Sequence, residues 1–300
     1  MNLELYKIFC CVVSTGNILK ASEQLYISQP AVSRAIKQLE NDIGCQLFVR
    51  SSRGVKLTKQ GEILYKYAKQ ALTFLRTGEK KVSEYENLNY GEVIVGVSDT
   101  LCKYYLTPYL DKFNNKYPNI RIQIKCHNTP ETVKLLKDGL IDLAIVTSPL
   151  NEESITLLPV LQIQDCFVAG EKYKHLSQKK HHLWEIISYP IILLTNTSNS
   201  RLFINDYFRN NSVIFEPAFE LGNFDLLSHF ARNNFGIACV IKNFISDDLK
   251  QGKLFEIELF EKIPPRSACI AMLNNTEPSP AAKELIRMMA SDKRKINGEA

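Results

Sequence analysis

Apolar positions in the first sixty residues recur every three or four places and then switch to alternation. Leu5, Phe9, Val12 and Val13 share one helical face, and Gly16 is placed to end it in a left-handed turn. Asn17 suits the cap of a second helix that carries Ile18, Ala21, Ser22 and Leu25 at i, i+3, i+4 and i+7. After a tight connection at Tyr26-Ile27, Ser28 starts a third helix. Pro30 is tolerated in its first turn, and Val32, Ala35, Ile36, Leu39 and Ile43 form its inward stripe. Beyond Gly44, Leu47-Phe48-Val49 and Val55-Lys56-Leu57 read as two short strands joined through Ser51-Ser52-Arg53-Gly54. Three short helices and a hairpin predict a winged helix-turn-helix over 1–58.

The next segment, 59–90, reads as a linker or dimerisation helix opened by Thr58. Leu64, Ala68, Ala71, Leu75, Gly78, Val82 and Tyr85 alternate by four and three, a heptad seam that either joins two copies or packs on the chain's own body. From residue 91 the pattern changes to strands and helices in alternation. Strands are expected at Val93–Val97, Ile120–Cys126 and Leu143–Thr147, with helices from Leu106 to Tyr117 and Pro130 to Lys137. A second group follows: strand 191–195, helix 201–210, strand 219–221, helix 224–233 and strand 236–240. Ala268–Met272 reads as a strand returning to the first group, Ala281–Ala290 as a closing helix, and the polar tail 292–300 as disordered. The fold class is thus multidomain: a mainly α winged helix-turn-helix, a long linker helix and a two-lobed α/β domain over 91–300. Lobe I is expected at about 91–161 and 267–292, lobe II at about 162–266.

Chemistry sharpens this. The outer face of the third helix carries Gln29, Ser33 and Lys37, with Arg34 beside them. Gln can bond adenine through two contacts, Ser and Lys reach base edges or phosphates, and Arg reads guanine or holds the backbone. Arg50, Arg53 and Lys56 on the hairpin suit phosphates or the minor groove. Residues 1–60 hold eight basic and four acidic side chains, so +4 of the net +5 lies in one fifth of the chain. Such concentration is the electrostatic footprint of a nucleic-acid-binding unit, although a solvated face also carries charge.

Other chemistries find little support. The eight cysteines contain no C-x-x-C pair, and the five histidines show no metal spacing. Gly96-Val97-Ser98-Asp99-Thr100 lacks the second glycine of a nucleophile elbow, and no Walker A, G-x-G-x-x-G or H-E-x-x-H run occurs. No cofactor and no enzymatic activity are therefore expected. With no leader-like start and no apolar run near 18 residues, a cytoplasmic protein with no membrane partner is expected.

The run Ser28-Gln29-Pro30-Ala31-Val32-Ser33-Arg34, followed by Ile36, Leu39-Glu40, Gly44, Leu47-Phe48, Arg50, Arg53-Gly54, Leu57-Thr58 and Gly61, resembles the N-terminal pattern of LysR-type transcriptional regulators. Ser22 departs from it, standing where alanine is commoner; its hydroxyl can bond a carbonyl one turn back. The resemblance implies contacts to double-stranded, pseudo-palindromic DNA from Ser28, Gln29, Pro30, Ser33, Arg34, Lys37, Arg50 and Arg53. It also implies pairing through the linker helix as a homodimer or homotetramer, contact with RNA polymerase, and a C-terminal domain like a periplasmic solute-binding protein with a small-molecule effector between its lobes.

Ligands of open α/β sheets bind beyond the carboxyl ends of strands. Ser98, Asp99, Thr100, Asn128, Thr129, Thr147, Ser200 and Asn223 fall there and are the candidate effector-binding residues, although Ser, Thr and Asn are also ordinary helix caps. Asp99 would repel an anion, which leaves an amine-bearing or zwitterionic effector open. Some members of the family sense oxidants through a cysteine pair in the second lobe. The segment from Asn196 to Ser212 has no cysteine, so that mechanism does not transfer.

Overall fold

The structure is a computed structural model that describes residues 1–51, 54–84, 91–274 and 276–291. It divides into two compact units, Met1–Ser83 and Glu84–Ala300.

In the first unit, α1 (Leu3–Thr15), α2 (Ile18–Leu25) and α3 (Gln29–Ile43) pack around Phe9, Val12, Val32, Leu39 and Leu47, all essentially inaccessible to water. Each such side chain contributes roughly 1.5–3 kcal/mol of burial, so the small core is held by its apolar stripe. Local chemistry sets the boundaries. Gly16 (φ 64°) ends α1 and Gly44 (φ 81°) ends α3. Asn17 Oδ1 accepts from the Leu19 and Lys20 amides at 2.8 and 3.2 Å, and Ser22 Oγ donates to Leu19 O at 2.7 Å.

The hairpin pairs β1 (Phe48–Ser51) with β2 (Gly54–Leu57), Phe48 facing Leu57 and Val49 facing Lys56. Val55 N donates to Gly16 O at 3.1 Å, and a Cβ on Gly54 (φ 125°) would lie 2.4 Å from that same oxygen, so only glycine fits. α4 (Lys59–Glu84) then starts under Thr58, whose Oγ1 accepts from Gly61 N at 3.0 Å.

The second unit contains two five-stranded mixed sheets. Sheet I has the order β4-β3-β5-β12-β6, from β3 (Gly91–Val97), β4 (Ile120–Cys126), β5 (Leu143–Thr147), β6 (Ile155–Ile163) and β12 (Arg266–Leu273). Sheet II has the order β11-β7-β10-β8-β9, from β7 (Asp165–Ala169), β8 (Ile191–Leu194), β9 (Phe219–Leu221), β10 (Ile237–Ile241) and β11 (Phe255–Ile257). Parallel pairings join β3 to β4 and β5, and β8 to β9 and β10, while the remaining pairings are antiparallel. Helices α6 (Thr107–Lys116), α7 (Thr129–Lys137) and α12 (Pro280–Ala290) cover sheet I. Helices α9 (Asn199–Asn210) and α10 (Phe224–Arg232), with the short α8 (Leu183–Ile186), cover sheet II, and α11 (Ser246–Lys250) lies between β10 and β11.

The chain passes between lobes twice. Only Gln164 separates β6 from β7, and the return runs through 258–265, including Pro264 and Pro265.

Several expected elements are displaced. The helix expected from Leu106 begins at Asp99: α5 (Asp99–Leu101) runs into a π-turn, Cys102–Leu106, and then α6. β6, β7, α8, β11 and α11 were not expected. Of the seam, Leu64 and Ala68 pack into the first unit's own core, while Tyr85 lies outside the described residues, as does the tail 292–300.

Candidate functional site

Two places carry candidate chemistry. In the first unit, α3 stands on its apolar stripe with the opposite face in water. Ser28, Gln29, Pro30, Arg34 and Lys37 are exposed and Ser33 is half-buried. The carboxylate nearest along the helix, Glu40, is turned inward, its Oε1 accepting from Leu47 N at 2.8 Å and from Phe48 N. Arg34, Lys37 and the exposed Lys20 on α2 form no ion pair among the described residues, unlike Lys7, which pairs with Glu4 at 3.4 Å. Unpaired cations at a helix pair are available to phosphates, which supply most of the sequence-independent affinity for DNA. Ser28 occupies the N-cap position of α3, yet its side chain accepts no cap hydrogen bond. Its hydroxyl therefore remains a donor at a helix N-terminus. Arg53 and the side chain of Arg50 lie outside the described residues.

α4 presents a second surface. Leu72 joins Ala68 in facing inward, whereas Ile63, Tyr67, Phe74 and Val82 are 62%, 63%, 38% and 76% exposed. With exposed Ala71, Leu75 and Gly78 they form a stripe that keeps Ala71, Leu75, Gly78 and Val82 of the expected seam and departs from it at Leu64 and Ala68, where Ile63 and Tyr67 are exposed instead. The departure has a simple cause: the unit's own core needed Leu64 and Ala68.

In the second unit a cavity of about 140 Å³ opens between the lobes. All eight candidate effector residues line it: Ser98, Asp99, Thr100, Asn128, Thr129 and Thr147 from lobe I, and Ser200 and Asn223 from lobe II. They converge because the carboxyl ends of the parallel strands of both sheets face the same space. Several also cap helices. Ser98 Oγ accepts from Leu101 N at 3.4 Å, Asn128 Oδ1 from Glu131 N at 3.0 Å, and Asn223 Oδ1 from Leu226 N at 3.0 Å. Capping spends their oxygens and leaves the amide N–H groups of Asn128 and Asn223 as what they can offer a ligand.

Polar links join the lobes at the rim. Asn199 Nδ2 donates to Thr147 O at 2.7 Å and to Thr147 Oγ1 at 3.2 Å. Lys103 Nζ and Tyr104 OH both donate to Asp225 at 2.8 Å, and the Tyr104 ring stacks on Phe244 with centroids 4.9 Å apart. At the base of the cleft Arg266 grips Asp165, Nε to Oδ2 at 2.5 Å and Nη2 to Oδ1 at 2.8 Å.

Arg201, Asp165 and Cys239 also line the cavity and were missed from sequence. Arg201 is buried in the first turn of α9, with Nη1 on Leu194 O at 2.6 Å and Nη2 on Glu220 at 3.0 Å. The polar run Thr195 to Arg201 between a strand and a helix was the available signal for it. Nothing local marks Asp165, whose partner lies 101 residues away. Among the described residues no group of three or more His, Cys, Asp or Glu side chains is placed to hold a metal, and no helix is long and apolar enough to cross a membrane.

Residues 3–62 match the family described as bacterial regulatory helix-turn-helix protein, lysR family, and residues 87–293 match the LysR substrate binding domain. A relative named probable RuBisCO transcriptional regulator, from Cyanidioschyzon merolae, is 27% identical over 263 residues, covering 86% of this chain and 87% of its own. Among solved structures, full-length OxyR from Pseudomonas aeruginosa superposes with a TM-score of 0.67 at 18% identity, over 98% of this chain and 95% of that one. Full-length CbnR complexed with its target DNA gives 0.64 at 16% identity, over 96% and 99%. These likenesses share the helical N-terminus and the α/β effector domain described above. The chain therefore belongs to the LysR family: it is a DNA-binding transcriptional regulator with a C-terminal domain that binds a small-molecule effector.

Proposed function

We propose that α3 enters the major groove, with Gln29 and Ser33 on base edges, Arg34 and Lys37 on bases or phosphates, and Ser28 and Pro30 fixing the approach of its N-terminus. Arg50 and Arg53 of the wing hold flanking phosphates. The observation that carries this reading is the polar face of α3 itself: its cations are exposed and form no ion pair among the described residues, while Val32, Ala35, Ile36 and Leu39 on the other face are spent on the core and only Ile43 at its end, 39% exposed, is not. The functional parts are 1–58 for DNA, 59–90 for pairing, and 91–300 for the effector, with lobe I at about 91–161 and 267–292 and lobe II at about 162–266. The eight residues Ser98, Asp99, Thr100, Asn128, Thr129, Thr147, Ser200 and Asn223 contact the effector.

Two copies pair through the exposed stripe of α4, as a homodimer or a tetramer built from it. They present two reading helices to half-sites a multiple of one helical turn, about 34 Å, apart. Effector binding shifts the packing of the C-terminal domains and so the spacing of the heads, and the assembled protein acts in the cytoplasm on RNA polymerase at the promoter. Genome-wide footprinting with the purified chain tests the DNA reading. The expected result is protection of a few two-fold sites at moderate salt; equal protection of all duplex sequences refutes it.

A further inference from the structure

The charges around the cavity balance everywhere except at one residue. Besides the Cys239 thiol, which burial pushes well up, four ionisable side chains line the space: Asp99, His127, Asp165 and Arg201. Asp165 is neutralised by the two-pronged contact with Arg266. Arg201 is neutralised by Glu220, and its Nε is bound to Asn205 Oδ1 at 2.8 Å. His127 Nδ1 lies 3.2 Å from Glu131. Asp99 has no ion pair among the described residues. It is exposed at the start of α5, where a helix end offers about half a positive charge, and so stays open to a cationic group brought by a ligand. The thiols beside it add nothing to offset that charge: burial first, and then the Asp99 carboxylate, push the Cys126 thiol up, so it stays neutral.

The opposite wall differs. The first turn of α9 has no acidic residue and receives no capping bond from the Ser198 side chain, and Ser198, Asn199 and Ser200 of this segment line the cavity. One wall thus attracts a cation, and the other accepts an electronegative group without supplying a free cation. The volume matters too, since a cavity of about 150 Å³ takes a single six-membered ring.

Resting on the reading of this cavity as the effector site, we propose that the effector carries a protonated amine that pairs with Asp99, has no net negative charge, and is about the size of an amino acid. An amino alcohol meets these terms through its ammonium alone. An α-amino acid meets them with its carboxylate turned to the first turn of α9. A simple hydroxy acid of the same skeleton fails them, because its only charge repels Asp99.

The test uses matched probes on the full chain: the common amino acids, the corresponding amino alcohols and the corresponding α-hydroxy acids, by thermal shift and then calorimetry. At least one amine-bearing probe is expected to bind, and its hydroxy-acid twin to bind ten-fold more weakly or not at all. Asp99→Asn should weaken the amine probe ten-fold or more, whereas Asp99→Glu should retain the preference. Binding by hydroxy acids alone, no binding by any amine, or an unchanged affinity in Asp99→Asn overturns the proposal. Gly222→Leu separates this from failure of the site itself. Gly222 lines the cavity and a Cβ there meets no protein atom within 4 Å, so a larger side chain is accommodated at the cavity wall. Probe binding that survives Gly222→Leu lies elsewhere and overturns both readings; binding lost in Gly222→Leu but indifferent to Asp99→Asn overturns the amine alone.

Discussion

Replacing Arg266 with Met should strongly destabilise the C-terminal unit. The Arg266 and Asp165 side chains are 1% and 4% exposed, and the pair joins the starts of β12 and β7, where the chain crosses between lobes. Removing the guanidinium strands a carboxylate that is almost wholly buried at the base of the cleft, a change that costs roughly 3–5 kcal/mol in buried pairs. The contact of the Arg266 guanidinium with the Phe203 ring, 5.1 Å away, is lost as well. Against a total stability of about 5–15 kcal/mol, that loss is large.

The pair itself is not a net asset of that size. Arg266 Nη1 is buried with no hydrogen-bond partner among the described residues, a deficit on the order of 1–3 kcal/mol. Asp165→Leu combined with Arg266→Met should therefore recover most of what either single change loses, giving a coupling of several kcal/mol in a double-mutant cycle. Urea unfolding of the four proteins measures it. A loss below about 1 kcal/mol for Arg266→Met, or a double variant as weak as the two single losses added, refutes the reasoning.

Three further outcomes are expected. Gln29→Ala should cost roughly 1–3 kcal/mol on the cognate site and little on random DNA, whereas Lys37→Ala should weaken binding across sequences and lower the salt slope by about one; fluorescence titrations at several salt concentrations distinguish them. Tyr67→Glu, placed on the exposed stripe of α4, should shift the chain toward monomer in light scattering while leaving the melting of the first unit nearly unchanged. Glu284 is held down at about 2 by Arg287 foremost, then by Lys116 and Tyr117. A lowered carboxylate stabilises the fold above its unfolded value of about 4.3 and loses that effect as pH falls toward its folded value. The melting-temperature gap between the natural protein and Glu284→Gln should accordingly shrink between about pH 5 and pH 2.5, and a constant gap would show that the contact carries no stability.

What could be read from sequence was what local chemistry determines. The first three helices followed from Asn17, Gly16, Gly44 and a clean apolar stripe, because caps and periodicity act within a few residues. The cleft residues followed from a general rule about where parallel strands end, and they were found as small polar residues after Val97, Cys126 and Leu194 without knowing which strands were neighbours. The long-range features were invisible. Asp165 looks like any loop acid until β12 brings Arg266 onto it. β6 alternates weakly, and its pairing with β12 carries a register shift between Ala268 and Cys269, which blurs the period of two. On α4 the expected positions Ala71, Leu75, Gly78 and Val82 lie exposed while Leu64 and Ala68 turn inward: two apolar stripes overlap on that helix, and periodicity alone does not say which residues the domain's own core claims.

The way the lobes are joined bears on how an effector can act. Apart from the two chain crossings, the rim is bridged by polar contacts, Asn199 on Thr147 and Lys103 and Tyr104 on Asp225, and by the Tyr104 ring packed on Phe244 and Phe224. Polar links at a wet rim are worth about 0.5–1.5 kcal/mol each, because water replaces them when they open. Parting the lobes at the rim would therefore cost only a few kcal/mol, which sets a parted arrangement against the one described. A ligand held by one lobe alone binds both arrangements equally and shifts neither. The cavity draws Thr100 and Thr129 from one lobe and Ser200 and Asn223 from the other, so a ligand that satisfies both walls is bound only when they are close. Moving such a balance from mostly open to mostly closed takes about 5.5 kcal/mol of differential affinity, which two or three charge-assisted hydrogen bonds at about 1.5–3 kcal/mol each supply.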